Sequence, residues 1–178
     1  MKRMSWRLIP IGVFLIICLF LWRGLDLDPH QLPSVKVGKK IPQFNLTQLN
    51  NPKQQFSSEH LLHQVALLNV WASWCEACVE EQDFLVELAY EGVPIYGINY
   101  KDNSEQALLW LEQWGNPYLL IGKDVDGKLA IDLGVYGAPE TFVVDKKGVI
   151  RYRHVGIITP RDWKRVINPL MNKLEQEG

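Results

Sequence analysis

Residues 71–78 read WASWCEAC and follow directly on the apolar run VALLNV at 65–70. A nearly continuous apolar run of this length fits a central strand buried on both faces. Cys75 and Cys78 then fall where strand would become helix. An opening helix aims unpaired backbone N–H groups and the positive end of its dipole at the first sulfur, so a thiolate forms more easily there. Cys75 is therefore the candidate nucleophile. Cys78, one turn on, is near enough to resolve a mixed disulfide. A structural disulfide and half of a zinc site are the competing readings. Zinc normally takes four ligands, and beyond this pair the sequence offers only Cys18, inside an apolar N-terminal run, and four histidines.

The helix opened at Cys75 is expected to reach about Glu91, where Gly92 and Pro94 stop it. At about 100° per residue, Ala77, Phe84, Leu85 and Leu88 share a face with Cys78, while Glu80, Asp83, Glu87 and Glu91 fall at its edge or outside it. Glu81 is the exception, since it lies in the middle of the apolar stripe. A carboxyl desolvated there has a raised pKa and can take the Cys78 proton near neutral pH; the competing reading is that it rotates out to water. Asn69 interrupts the apolar run and needs hydrogen-bond partners if buried.

Lys2, Arg3 and Arg7 precede residues 8–22, fifteen positions without a charge. This segment, residues 1–23, reads as a targeting or anchoring element outside the fold. It is short for a span of about 20 residues, but Trp6 and Trp22 are placed to sit at the two interfaces. No small-residue cleavage site follows, so an uncleaved single-pass anchor with the basic end inside is favoured over a removed signal peptide. Residues 24–37 carry two prolines and no periodicity and read as a tether, which leaves 38–178 as one domain. Beyond residue 23 the chain has fifteen basic and twenty acidic residues, a formal charge of −5 that argues against nucleic-acid binding.

Along that domain, residues 38–49 suggest an edge strand with Ile41, Phe44 and Leu46 on one side, and Ser57 or Ser58 caps a short helix. His60 and His63 read as solvated. Residues 93–100 are the next strand, and a helix follows to Trp114 with Asp102 or Asn103 as its cap and Leu108, Leu111 and Trp114 as its inner stripe. Residues 118–121 are a candidate short strand. The DVDG at 124–127 lacks the further acids of a calcium loop and reads as a turn. Residues 141–145 and 149–154 make a hairpin about Lys146, Lys147 and Gly148. Thr159, Pro160 and Asp162 open a C-terminal helix that Pro169 should kink or split.

Strand, CxxC at a helix start, strand, helix, then a proline before an antiparallel hairpin and a closing helix: this order resembles the thioredoxin fold, an α/β architecture with a central mixed sheet flanked by helices. WASWCEAC, INYKDN at 98–103 and GVYGAPETF at 134–142, together with the anchor, resemble the CcmG/DsbE family, the membrane-tethered thioredoxin-like reductases of cytochrome c maturation. The resemblance covers residues 35 to the C-terminus. It implies a cis bond before Pro139, a backbone at Ala138 offered to substrate peptide, and a substrate surface formed by Trp74, Ala138, Pro139 and Glu140. Glu81 and Glu140 match family acids near the dithiol. The implied activity is reduction of the disulfide in the CxxCH motif of apocytochrome c in the bacterial periplasm before haem attachment, with no cofactor beyond the Cys75–Cys78 pair. The implied partners are apocytochrome c or a haem-ligation component, and an integral membrane electron donor of the DsbD/CcdA type.

Two features depart from the pattern. Glu76 and Ala77 stand between the cysteines where the family more often begins with proline, and Asn69 occupies the place of the buried aspartate of general thioredoxins, so it cannot carry a proton. Glu76 bears on direction: a negative charge beside the first sulfur disfavours the thiolate and makes the couple more reducing. Two other functions fit the residues, a general tethered reductase serving for example copper-site assembly, and a non-catalytic module that holds unfolded peptides along the Pro139 groove.

Overall fold

A computed structural model of the chain describes residues 3–25 and 36–177 and, within the first span, the side chains of residues 9–20. The chain divides into two compact units, Met1–Pro33 and Ser34–Gly178. Helix α1, Arg3–Leu25, belongs to the first, and its described side chains are apolar and exposed. No helix among the described residues is long and apolar enough to cross a membrane. The side chains that would flank the expected anchor, Trp6 and Trp22 among them, and residues 26–35 of the expected tether lie outside the described residues.

In the second unit, β1 (Asn45–Thr47) and β2 (Gln55–Ser57) pair antiparallel as a small sheet of their own. The main sheet uses β3 (Ala66–Trp71), β4 (Ile95–Tyr100), β5 (Ile121–Asp124), β6 (Glu140–Val144) and β7 (Ile150–Val155) in the order β5-β4-β3-β6-β7. Strands β3, β4 and β5 run parallel, and β6 and β7 join antiparallel. This is the mixed sheet expected from the sequence. All six residues of β3 are buried, as its apolar run requires in a central strand. Removing side chains such as Leu67, Leu68 and Val70 from water stabilises the fold by about 1.5–3 kcal/mol each.

Alternation along β3 sorts the core into two layers. Leu67 and Trp71 face a cluster with Cys75, Cys78, Leu85 and Leu88 of α2 (Glu76–Tyr90), with Ala107, Trp110 and Leu111 of α3 (Ser104–Trp114), and with the C-terminal helix. Ala66, Leu68 and Val70 face Phe142, Ile150 and the short helix α4 (Lys128–Leu133).

Several local expectations shift. The proposed strand at 38–49 shrinks to β1 and two single bridges, Lys40 to Val149 and Gln48 to Gly122; Pro42, which has no N–H to give a ladder, falls between the first bridge and β1. The inner face of α3 is Ala107, Trp110 and Leu111, while Leu108 and Trp114 are exposed, because Trp110 turns in to stack on Trp71 at 4.9 Å. Strand β5 begins at Ile121 rather than Tyr118, whose N–H is taken by Asn116 Oδ1 at 3.0 Å and whose ring enters the core. Helix α4 was not foreseen. The carboxylate of Asp124 accepts the N–H groups of Leu129 and Ala130, and Gly134, at φ 74, ends the helix after six residues. The C-terminal helix is split, as Pro169 suggested: Pro160–Asp162 leads into a π turn at Trp163–Ile167 and then into Asn168–Gln176. Pro169 lacks the N–H for the preceding turn and its ring crowds the carbonyl there, and the wider π turn, closed by Asn168 N–H to Trp163 O, absorbs the mismatch.

Gly97 of β4 is a position where a side chain is excluded by close approach. A Cβ there would lie 2.9 Å from Trp71 Nε1 and 3.0 Å from Tyr118 Cγ, two rings stacked at 5.5 Å. Gly97→Ala must wedge that stack and is expected to cost about 1–3 kcal/mol, the usual penalty for overpacking a core. Urea unfolding measures it, and an unchanged midpoint would show that the rings yield freely.

Candidate active site

Cys75 is the N-cap of α2, with extended backbone (φ −91, ψ 105), and its sulfur accepts the Cys78 N–H at 3.2 Å. That is the arrangement the motif suggested, in which the sulfur takes one of the donors a helix start leaves unpaired. Cys75 and Cys78 are joined in a disulfide, with Cα atoms 5.3 Å apart, so this is the oxidised form. Both cysteines are buried, Cys75 at 5% exposure and Cys78 at 1%. Beside them Trp74 is exposed at 58%. Its indole N–H donates to Lys101 O at 3.1 Å. Lys101 holds a left-handed backbone (φ 45), a local cost that aims its carbonyl outward at the tryptophan.

Behind Trp74 a residue the sequence reading used only as a possible helix cap proves central. Asn103, not Asp102, caps α3, accepting the N–H groups of Glu105 and Gln106. Asp102 turns toward the dithiol loop, accepting Ser73 N–H at 2.6 Å, Ser73 O–H at 2.7 Å and the Asn99 amide at 2.8 Å. The loop between strand and nucleophile is therefore tied down by a charged acceptor, whose hydrogen bonds are about twice as strong as neutral ones. The signal was present in the Asp-Asn pair, since only one of two adjacent acceptors can serve as the cap.

Beneath the disulfide lies a buried polar cluster. Glu81, one turn past Cys78, is 1% exposed, so its carboxyl does not rotate to water. Asn69 Nδ2 donates to Glu81 Oε1 at 2.9 Å and to Thr141 Oγ1 at 2.9 Å, the Ile158 N–H donates to Glu81 Oε2 at 2.8 Å, and Tyr118 O–H donates to Asn69 Oδ1 at 2.8 Å. Asn69 thus has the partners its burial demanded. Burial pushes the Glu81 carboxyl up to about 7, against the opposing pull of the Ile158 and Asn69 donors. Next to it Gln82 is buried too, donating to Gly115 O at 2.7 Å, a contact across to the end of α3 that a helical wheel does not reveal.

Glu140 is placed differently from its expected role at the substrate surface and beside the dithiol. In the sheet Asn69 pairs with Thr141 and Val70 with Glu140, so Glu140 lies on the face opposite Glu81. Its side chain is 1% exposed and ion-paired with the Arg153 guanidinium, whose Nε and Nη2 are 2.7 and 2.6 Å from Oε2. Its other oxygen accepts Tyr136 N–H at 2.7 Å and Gly137 N–H at 3.4 Å. What Glu140 does is hold the loop that leads to Pro139. That loop reaches the dithiol side: Ala138 packs against the cluster containing Cys75 and Cys78, and the Ala138–Pro139 bond is cis. Glu76 is exposed in the first turn of α2. Among the described residues no group of three or more His, Cys, Asp and Glu could hold a metal ion.

The Redoxin family model matches residues 36–167 of the chain. The thiol:disulfide interchange protein DsbE of Pseudomonas aeruginosa is 47% identical over 170 residues, covering 96% of this chain and 94% of that protein. The Escherichia coli K12 protein of the same name is 45% identical over 177 residues, covering 96% of each. This chain belongs to the DsbE family. Its solved neighbours agree at the level of fold: a putative DsbE from Chlorobium tepidum superposes with a TM-score of 0.68 at 23% identity, covering 79% of this chain and 99% of that one. Within the DsbE family frame, the Cys75–Cys78 pair at the start of α2 is the reactive centre of a thiol:disulfide oxidoreductase.

Proposed function

We propose that the chain works as a reductant of disulfides in the CxxCH motif of apocytochrome c, in the periplasm, tethered to the inner membrane by its N-terminal segment. The observation that carries this reading is the buried Glu81 beneath a helix-capping Cys75. In the forward reaction the Cys75 thiolate attacks one sulfur of the client disulfide, forming a mixed disulfide and releasing the client's other sulfur as a thiolate, which takes a proton. Cys78 then gives its proton to Glu81 and attacks Cys75 Sγ. The mixed disulfide breaks, the second client thiol leaves, and the Cys75–Cys78 disulfide remains. Two electrons pass from enzyme to client, and an integral membrane donor of the DsbD/CcdA type returns them.

Glu81 suits the proton step because a carboxyl that titrates near 7 both accepts and returns a proton at neutral pH. Two effects act on direction. The Cys78 N–H at 3.2 Å stabilises a thiolate on Cys75, which favours the reduced form, and the Glu76 charge opposes it. Trp74 and the Ala138–Pro139 backbone flank the sulfur as the surface for an extended client segment.

The test is capture of the client. In the full chain, Cys78→Ala leaves Cys75 able to attack and unable to be resolved, so a mixed disulfide accumulates in cells and its partner is identified after purification. An apocytochrome bound through its CxxCH cysteines is the expected partner. A copper-site assembly protein in its place overturns the client assignment, and undiminished cellular function in Cys75→Ala overturns the enzyme reading in favour of a binding module.

A further inference from the structure

Tyr118 stands 49 residues from Asn69 in sequence, yet its hydroxyl donates to Asn69 Oδ1 at 2.8 Å. The other end of that amide is fully used, with both Nδ2 hydrogens engaged by Glu81 Oε1 and Thr141 Oγ1. A second arrangement of the same atoms exists, with the amide turned over. Its oxygen would then face Glu81 and Thr141, and it would be satisfied by a protonated carboxyl and a rotated threonine hydroxyl, both donating. Its NH2 would face the Tyr118 oxygen, and the buried Tyr118 proton would lose its acceptor. A buried donor left without a partner is costly. The first arrangement matches an ionised Glu81, the second a neutral one, and the tyrosine hydroxyl discriminates between them.

We propose that Tyr118 is a positioning residue for the proton step: its hydroxyl holds the Asn69 amide with the NH2 toward Glu81, and so sets how readily that carboxyl takes up a proton. The proposal rests on reading Glu81 as the proton acceptor for Cys78. The ring is held for the purpose from outside the cluster. It stacks on Trp71 at 5.5 Å and 13°, packed close over the bare backbone of Gly97, and Asn116 Oδ1 fixes its backbone N–H. Facing Glu81 are Asn69 from β3 and the Ile158 N–H after β7 and, through Asn69, Thr141 from β6 and Tyr118 before β5, with Cys78 one turn away on α2. Beside Glu81 the titratable member is Tyr118, joined by the cysteine pair only once the disulfide is reduced, and none of these groups is cationic. Burial first, and the Glu81 charge second, push the Tyr118 phenol well above its ordinary range, so the hydroxyl remains a donor wherever Glu81 titrates.

The experiment uses the full chain as wild type, Tyr118→Phe, Glu81→Gln and the double variant. Glu81 is titrated in the oxidised protein by the carboxyl carbon signal of labelled glutamate, and the rate of reduction of a CxxCH peptide disulfide is followed against pH. Tyr118→Phe is expected to move the Glu81 titration upward by roughly one pH unit, a tenfold gain in proton affinity, and to carry the pH–rate profile with it. In the Glu81→Gln background, adding Tyr118→Phe leaves the profile where it is. A Glu81 that titrates in Tyr118→Phe as in wild type overturns the proposal. An unchanged profile in Glu81→Gln alone overturns the proton-acceptor reading instead, and the carboxyl titration still reports on Tyr118. If a melting curve shows Tyr118→Phe unfolded, the wild-type hydroxyl proton supplies the second measurement. A slowly exchanging signal that shifts as Glu81 titrates supports the clamp, and a freely exchanging one insensitive to that titration overturns it.

Discussion

Arg153→Met is expected to destabilise the protein by about 3–5 kcal/mol at neutral pH, the usual consequence of removing one partner from a buried ion pair. The methionine keeps most of the apolar volume, so the loss is electrostatic. Glu140, 1% exposed, would be left in a low-dielectric site with only the Tyr136 and Gly137 N–H groups to replace the guanidinium. Arg153 also lies 4.6 Å from the Tyr136 ring centroid, a stacking contact that methionine does not reproduce with charge. Urea unfolding gives the number. The double variant Arg153→Met, Glu140→Gln should recover part of the loss, because a neutral amide can be buried where a lone carboxylate cannot. A single variant within 1 kcal/mol of wild type would mean that the pair contributes little, as exposed pairs do.

The same substitution has a functional consequence, since Glu140 holds the backbone at Tyr136 and Gly137, two and one residues before Ala138. Loosening that loop is expected to raise KM for a disulfide peptide more than it lowers kcat, because Cys75 and Cys78 belong to another element and stay in place. A fall in kcat alone would instead tie the pair to the sulfur chemistry.

The parts of the site that were legible in the sequence are those set by local pattern. The apolar run 65–70 marked the central strand, the CxxC spacing marked the helix start, and the position of Glu81 in an apolar stripe marked a buried carboxyl. Asn69 was recognisable as a buried amide in need of partners, though not which partners. What was not legible depends on side chains that meet across the fold. Tyr118, Asp102 and Arg153 reach Asn69, Ser73 and Glu140 from 49, 29 and 13 residues away. Arg153 left no signal, since strand alternation gives it the same face as the exposed Arg151, and only the register shift of β7 between Val143 and Val144 separates the two. Helix α4 left almost none, since six residues are too few to show a helical period and its cap is supplied by Asp124 from the strand before it. Glu140 was read by family resemblance as a site acid; strand alternation next to Thr141 sends its carboxyl to the other face of the sheet, where it supports the loop.

Glu81→Gln should change how stability depends on pH, and the sign follows from the direction of the shift. In the folded, oxidised protein burial raises this carboxyl to about 7, whereas in the unfolded chain it titrates at its ordinary value, about 4.3. Between those values the folded state holds a proton that the unfolded state has released. Folding is therefore favoured in full below about pH 4, and this contribution is lost as pH rises toward 7. The loss amounts to about 4 kcal/mol if the whole shift is realised, at about 1.4 kcal/mol per unit. Glutamine keeps the shape and cannot ionise, so the variant should lack this decline and be the more stable protein above pH 7, while losing the means of moving the Cys78 proton. Urea unfolding of the oxidised forms at pH 4.5 and 8 checks the first point. Parallel slopes for the two proteins would place Glu81 in contact with water and remove the physical basis for its role. The protein would then carry at its centre a group that weakens the fold at neutral pH, and this is the expected signature of a residue kept for chemistry, because a permanently neutral side chain of the same size would fold better.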